Sequence, residues 1–221
     1  MNILIIGDTL HVQECKEKFG ASHKYSSVAE HREAEKFLQT NDLVFDFIIE
    51  EEPHQFEIYK NHRSIVFLNT CKINLSELVH LLGQPVSSTL FGFNGMPTLL
   101  SRQILEVSTW KKDDEEILKK ICAELNTEFL VVEDRIGLVT PRVICMIINE
   151  AYYTVLEGTA SREDVDLAMK LGSNHPFGPF EWSRRIGVKH VYELLEAVYE
   201  DTHDERYKIC PLLKQEYLAS L

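Results

Sequence analysis

Positive charge is scarce in this chain: 23 Lys and Arg stand against 35 Asp and Glu, giving a formal net charge of −12 over 221 residues. Nucleic acid is therefore not an expected partner, because a phosphate backbone is bound through clustered Lys and Arg. The five cysteines, at positions 15, 71, 122, 145 and 210, make no Cys-x-x-Cys pair, and their odd number suits a reducing compartment better than a disulfide framework. No apolar run approaches the length of a membrane-spanning helix, and Met1 to Gly7 has neither the basic start nor the long apolar core of a secretory signal. A cytoplasmic protein without membrane contact is the expectation. His-Glu-x-x-His, Cys and His at ligand spacing, and an aspartate ladder around a central Gly are all missing, so no metal site is expected. Gly-x-Ser-x-Gly is missing too, which removes the usual hydrolase elbow.

What is present suffices for a packed core, with 44% hydrophobic residues and no repeat or low-complexity tract. Ile3 to Ile6 is an unbroken apolar run closed by Gly7, which reads as a buried parallel strand entering a turn. Phe45 to Ile49 and Ile65 to Leu68 repeat that signature, and helical patterns at Val12 to Phe19 and Arg32 to Gln39 alternate with them. A parallel, doubly wound sheet follows from that alternation. Further strands are expected at His23 to Val28, Thr89 to Phe93, Ile104 to Ser108 and Thr127 to Val132, with helices at Glu77 to Leu82 and Asp113 to Leu125. Beyond about residue 135 the pattern is all helix. Thr140-Pro141 reads as an N-cap followed by the first helical residue, Gly158 as that helix's stop, Ser161 as a second N-cap and Gly172 as a second stop. The organisation expected is an α/β Rossmann-like domain over 1–135 followed by an all-α dimerisation domain over 136–221.

Within the helical part, Ala168-Met-Lys-Leu-Gly172 is followed by Pro176-Phe-Gly-Pro-Phe-Glu181, preceded by Ile147-Ile-Asn-Glu-Ala151 and trailed by Cys210-Pro-Leu-Leu-Lys214. This set resembles the C-terminal helical domain of the 3-hydroxyacyl-CoA dehydrogenase family. The resemblance implies a Rossmann domain that holds NAD, an acyl-CoA-like small-molecule substrate, a homodimer and a role in fatty-acid metabolism.

The implied cofactor site is degenerate. A dinucleotide-binding turn uses one Gly for the bend, a second for backbone approach to the pyrophosphate and a third for close helix packing. Only Gly7 stands in its place; Thr9 and Val12 fill the other two positions, and Asp8 would repel a pyrophosphate if its carboxylate faced one. NAD binding is therefore expected to be weak or lost. Glu30 is the nearest acidic residue to the expected ribose position. The resemblance further places Glu50 and Asn69 beside the cofactor, Ile48-Ile-Glu50 and Leu68-Asn69-Thr70 being similar to the family's loops at that cleft. Without the family, Glu50 reads as the start of a solvated acidic trio.

The implied chemistry needs a His base held by a Glu. The family's His position falls on Phe91, which accepts no proton, and Glu106 is the one catalytic residue retained, with three extra residues between the two. Cys71 matches the family's substrate-bonding Ser, and Pro141 matches its active-site Asn. Among the nine histidines, His11 and His175 draw interest, yet neither has an Asp or Glu at a spacing expected to orient it. Two readings stand: an NAD-dependent dehydrogenase resting on Glu106, or a non-catalytic homodimeric binding or regulatory protein on the same scaffold.

Overall fold

A computed structural model describes residues 1–221, which divide into two compact units, Met1–Leu138 and Val139–Leu221. The first unit is built on one seven-stranded sheet. Its strands are β1 (Asn2–Ile6), β2 (Lys24–Val28), β3 (Leu43–Asp46), β4 (Ile65–Asn69), β5 (Thr89–Phe93), β6 (Ile104–Thr109) and β7 (Glu128–Val131), in the spatial order β2-β1-β3-β4-β5-β6-β7. All neighbours pair parallel except β5 and β6, whose antiparallel pairing sets Phe91 opposite Thr109, Gly92 opposite Ser108 and Phe93 opposite Val107. The fold class is α/β Rossmann-like, with that one pair departing from the expected all-parallel sheet. Apolar residues fill both faces. Ile3, Ile5, Phe45, Phe67, Phe91, Phe93, Leu105 and Val107 pack with helices α1 (Thr9–Phe19) and α4 (Glu115–Glu124). Leu4, Ile6, Val44, Val66, Leu68 and Leu90 pack with the short α2 (His31–Ala34) and with α3 (Leu75–Leu82). Such two-sided burial explains why the central strands read as continuous apolar runs rather than alternating ones.

Several boundaries differ from the sequence pattern. Helix α1 begins at Thr9 rather than Val12, because Asp8 caps it. Strand β3 covers Leu43–Asp46, two residues ahead of the expected Phe45 to Ile49; Phe47 and Ile49 stay buried but lie past its end. One true turn and a 3-10 segment over Glu35–Phe37 replace the helix expected from Arg32 to Gln39.

The second unit is helical throughout, with α5 (Thr140–Leu156), α6 (Arg162–Ser173), α7 (Pro179–Ile186), α8 (Val188–Thr202) and α9 (Pro211–Ala219). Thr140 is the first helical residue of α5 and not its cap, the capping position being Val139. Gly172 does not end α6 either; Asn174 does, at φ 53° and ψ 34°, in the left-handed conformation its short amide tolerates. Ser161 caps α6 by accepting from Asp164 N, and Gly158 takes φ 73° just beyond α5. No helix is long and apolar enough to cross a membrane.

Candidate functional site

In an open α/β sheet a ligand crevice forms at the carboxyl ends of the strands where the chain's direction of winding reverses. Here that point lies between β1 and β3, bordered by Gly7 and Phe47. The Asp8 side chain turns back over the first turn of α1, its Oδ1 accepting from Leu10 N at 2.9 Å and His11 N at 3.1 Å. His11 completes a reciprocal cap, its Nδ1 accepting from Asp8 N at 3.1 Å. The His11 ring stacks on Phe47 with centroids 4.3 Å apart, and its Nδ1 sits 2.7 Å from where a Cβ on Gly7 would be. Burial holds the His11 pKa below its usual value although Asp8 and Glu51 push it up. The ring is thus a neutral acceptor at pH 7. Asp8 Oδ1 lies 2.9 Å from His11 Nδ1, but with Nδ1 accepting from the Asp8 amide that approach is not a hydrogen bond, and the ring is held by the amide and by Phe47.

These residues do not fit NAD. A pyrophosphate would need the first-turn amides that Asp8 and His11 take up, and Thr9 and Val12 stand where the dinucleotide turn has glycines. Glu30 is exposed at the start of α2.

The loops after β3 and β4 bring the other matched positions together. Glu50 is buried rather than a member of a solvated trio, its Oε1 3.1 Å from Lys72 Nζ and its Oε2 accepting from Lys72 N at 3.1 Å. Burial raises its pKa to about 6, against the pull of Lys72. Asn69 works as a staple: its Nδ2 donates to Phe47 O at 3.2 Å and its Oδ1 accepts from Gly95 N at 3.0 Å. Cys71 Sγ donates to Asn94 Oδ1 at 3.5 Å, a weak contact inside the protein.

Phe91 and Glu106 lie on opposite faces of the sheet. Phe91, Phe93, Leu105 and Val107 all belong to the aromatic core on the α1 side, and Phe91 packs on Phe67 at 5.0 Å between centroids. Strand alternation sends Glu106, between Leu105 and Val107, to the other face. On that face Gly92 touches Thr70 and Ser108, and Ser108 Oγ donates to Asp134 Oδ1 at 3.4 Å. The three-residue excess between the two positions is taken up in the loop from Asn94 to Gln103, whose Met96, Leu99 and Leu100 are buried. Helix α1 holds that loop, Glu14 Oε1 accepting from Thr98 N at 2.6 Å and Lys18 Nζ donating to Gln103 O at 2.8 Å. Pro141 is buried in the first turn of α5. No group of three His, Cys, Asp or Glu side chains is arranged to hold a metal ion.

In the second unit the most specific run of the sequence is a helix fastener. Asp166 Oδ1 accepts from Phe180 N at 2.7 Å across the α6–α7 turn, and Gly178 lies so close to Asp166 that a side chain there would collide with it. Lys170 Nζ donates to Glu181 Oε1 at 2.8 Å while Glu181 Oε2 accepts from Gly178 N at 3.0 Å. Asn149 uses both ends of its amide, donating to Lys208 O and accepting from Cys210 N, which anchors the segment leading into α9.

Residues 137–220 match the family described as 3-hydroxyacyl-CoA dehydrogenase, C-terminal domain. A 3-hydroxybutyryl-CoA dehydrogenase of Bradyrhizobium diazoefficiens is 29% identical over 181 residues, 78% of this chain and 61% of that protein. The 3-hydroxyadipyl-CoA dehydrogenase of Escherichia coli is 40% identical over 89 residues, 40% of this chain and 19% of that protein. Among solved structures, an (S)-3-hydroxybutyryl-CoA dehydrogenase from Ralstonia eutropha superposes with a TM-score of 0.72 at 18% identity, covering 99% of this chain and 94% of that one. Residues 137–220 thus match the helical domain of the 3-hydroxyacyl-CoA dehydrogenase family, and most of the chain is similar to dehydrogenases of that family. The chain spans about three fifths of the length of the first two curated relatives, 61% and 63%.

One cluster in the first unit is not signalled by any motif of the sequence. Asp46, wholly buried at the end of β3, accepts from Tyr59 OH at 2.8 Å and lies 2.9 Å from His31 Nε2, and His31 Nδ1 is 3.4 Å from Glu52 Oε2. Burial pulls the His31 pKa down, but Asp46 and Glu52 together outweigh it and leave the pKa raised. The one signal available was a carboxylate set inside the apolar run Leu43 to Ile49.

Proposed function

We propose that this chain is a non-catalytic, cytoplasmic member of the 3-hydroxyacyl-CoA dehydrogenase family, a homodimeric binding or regulatory protein that keeps the scaffold without the hydride-transfer chemistry. The observation that carries this reading is Phe91. The position matched to the catalytic base is not merely a residue unable to take a proton; it is packed into the aromatic core, on the face of the sheet away from Glu106. Cys71, engaged with Asn94, and Pro141, which has no N–H, add to the same reading. The competing reading, suggested by the names of the relatives, is NAD-dependent oxidation of a 3-hydroxyacyl-CoA in fatty-acid metabolism, and it rests on buried Glu106 alone.

The homodimer is supported by the second unit, where Val143, Leu167 and Leu171 are apolar and exposed. On α6 the one buried residue is Asp166, so much of that helix's surface lacks a cover within the chain. Reduction of acetoacetyl-CoA by NADH at neutral pH tests the main claim. General acid–base catalysis alone contributes about 10²- to 10⁴-fold, and its loss beside a blocked cofactor turn leaves turnover at background. Turnover at ordinary enzymatic rates, abolished by Glu106→Gln, refutes the proposal.

A further inference from the structure

We infer that Asp8 and His11 form a built-in occupant of the diphosphate-binding turn, so that the protein excludes diphosphate ligands as a class by filling that turn with its own side chains. The inference deepens the non-catalytic reading and rests on it, since it gives the cause of the missing cofactor affinity. It differs from a simple loss of glycines. Thr9 and Val12 stand where the turn's other glycines would be, whereas Asp8 and His11 consume what an anion would use.

Three first-turn amides, those of Asp8, Leu10 and His11, are satisfied by these two side chains. One carboxylate oxygen takes two of them, as a phosphate oxygen would. The imidazole supplies the second half of the plug, lying flat on Phe47 with 19% of its side chain exposed and covering Gly7, where a pyrophosphate needs bare backbone. Being neutral, it does not offset the charge of Asp8, and Glu51 adds a further negative charge nearby. The same device recurs at the carboxyl ends of the strands. Asp134, from the end of the first unit, accepts from Leu75 N at 2.9 Å, Ser76 N at 3.0 Å and Ser76 Oγ at 2.9 Å, so the start of α3 is also held by an internal carboxylate.

The test is calorimetric titration of the full chain with inorganic pyrophosphate and, separately, NADH. Four proteins are compared: wild type, Asp8→Gly, the double variant Asp8→Gly/His11→Ala, and Asp8→Asn. Gly is a tolerated N-cap, so the first variant keeps α1, and Asn accepts the same two amide bonds without charge. The wild type and Asp8→Asn are expected to show no pyrophosphate binding, Asp8→Gly to bind it measurably, and the double variant to bind at least tenfold tighter than Asp8→Gly. Amide shifts of Leu10 and His11 on adding pyrophosphate to Asp8→Gly locate the binding independently of α1's stability. If Asp8→Asn binds as well as Asp8→Gly, charge repulsion and not occupancy is the block, and the inference fails. If neither glycine variant binds while both stay folded, Thr9 and Val12 are the block, and it fails again. Micromolar NADH binding by the wild type instead overturns the proposed function itself.

Discussion

Phe91→His, the change that would restore an imidazole at the matched position, is expected to unfold more than it repairs. Phe91 is 0% exposed, packed against Phe67 and two strand positions from Phe93 on the same face. Truncating a core Phe to Ala costs about 3–5 kcal/mol. Histidine retains part of the ring, so the packing loss is smaller, but each ring nitrogen buried without a partner costs about 1–3 kcal/mol. A net loss of about 4 kcal/mol follows, a large share of a total stability of about 5–15 kcal/mol. With a urea dependence of about 2 kcal/mol/M, the unfolding midpoint falls by roughly 2 M. Trp110 is the natural reporter, because its backbone N–H donates to Leu90 O at 3.3 Å, next to the substitution; a Trp182→Phe background silences the second unit. Burial disfavours the imidazolium, so the folded pKa of the new His lies below its unfolded value and the loss deepens as pH falls through about 6.5. An unshifted midpoint, or any acetoacetyl-CoA reduction gained by the variant, refutes the placement of Phe91 in the core and the separation from Glu106.

Other outcomes are as direct. His31 has a folded pKa raised by Asp46 and Glu52 against its burial, so its contribution is complete below the unfolded pKa of about 6.5 and is lost as pH rises through the folded value. Urea titrations at several pH values should show stability of the first unit declining above about pH 6.5, with His31→Gln flattening that decline; an unaltered slope in the variant refutes the role of the cluster. Gly92→Ala places a methyl group against Thr70 Oγ1 and Ser108 Oγ and should destabilise by about 1–3 kcal/mol, as overpacking does. Gly178→Ala presses on Asp166 and should loosen the α6–α7 turn, read as lost amide protection at Phe180; unchanged exchange there would sink the fastener argument. Light scattering at micromolar concentration should give twice the chain mass, and Leu167→Glu with Leu171→Glu should give the monomer; a monomeric wild type ends the dimer proposal.

The sheet was legible because its signal is local. Ile3 to Ile6 and Ile65 to Leu68 are buried on both faces, and nothing beyond the apolar run itself is needed to recognise them. Helix starts were less so. Asp8 was weighed as a charge beside a cofactor turn, when its physical role is the N-cap that brings α1 forward to Thr9. Thr140-Pro141 misled in the same sense, since Pro is tolerated throughout the first turn and the helix had already begun at Thr140. The antiparallel pairing of β5 and β6 depends on the loop between them turning back, which the strand patterns do not encode. Least legible was the site. His31, Asp46, Tyr59 and Glu52 come from segments joined only by folding, and Glu50 looked solvated until Lys72 and the loop after β4 enclosed it. The faces of Phe91 and Glu106 required a register, which no motif spacing supplies.

What carries the family resemblance and what carries the chemistry are different residues. Asp166, Lys170, Gly178 and Glu181 hold α6 to α7, and Asn149 holds the approach to α9; each acts through a backbone amide, a carbonyl or a helix-to-helix ion pair. None of those contacts includes a group placed to move a proton or a hydride. A match over residues 137–220 therefore argues for a scaffold, and the same match would persist in a protein that had lost its reaction. The chemistry has to be argued in the first unit, where Phe91 faces the core and the first turn of α1 is capped by Asp8 and His11. Restoring Thr9→Gly and Val12→Gly would open room at that turn yet leave three amides occupied, so the glycines alone are not sufficient for a diphosphate site.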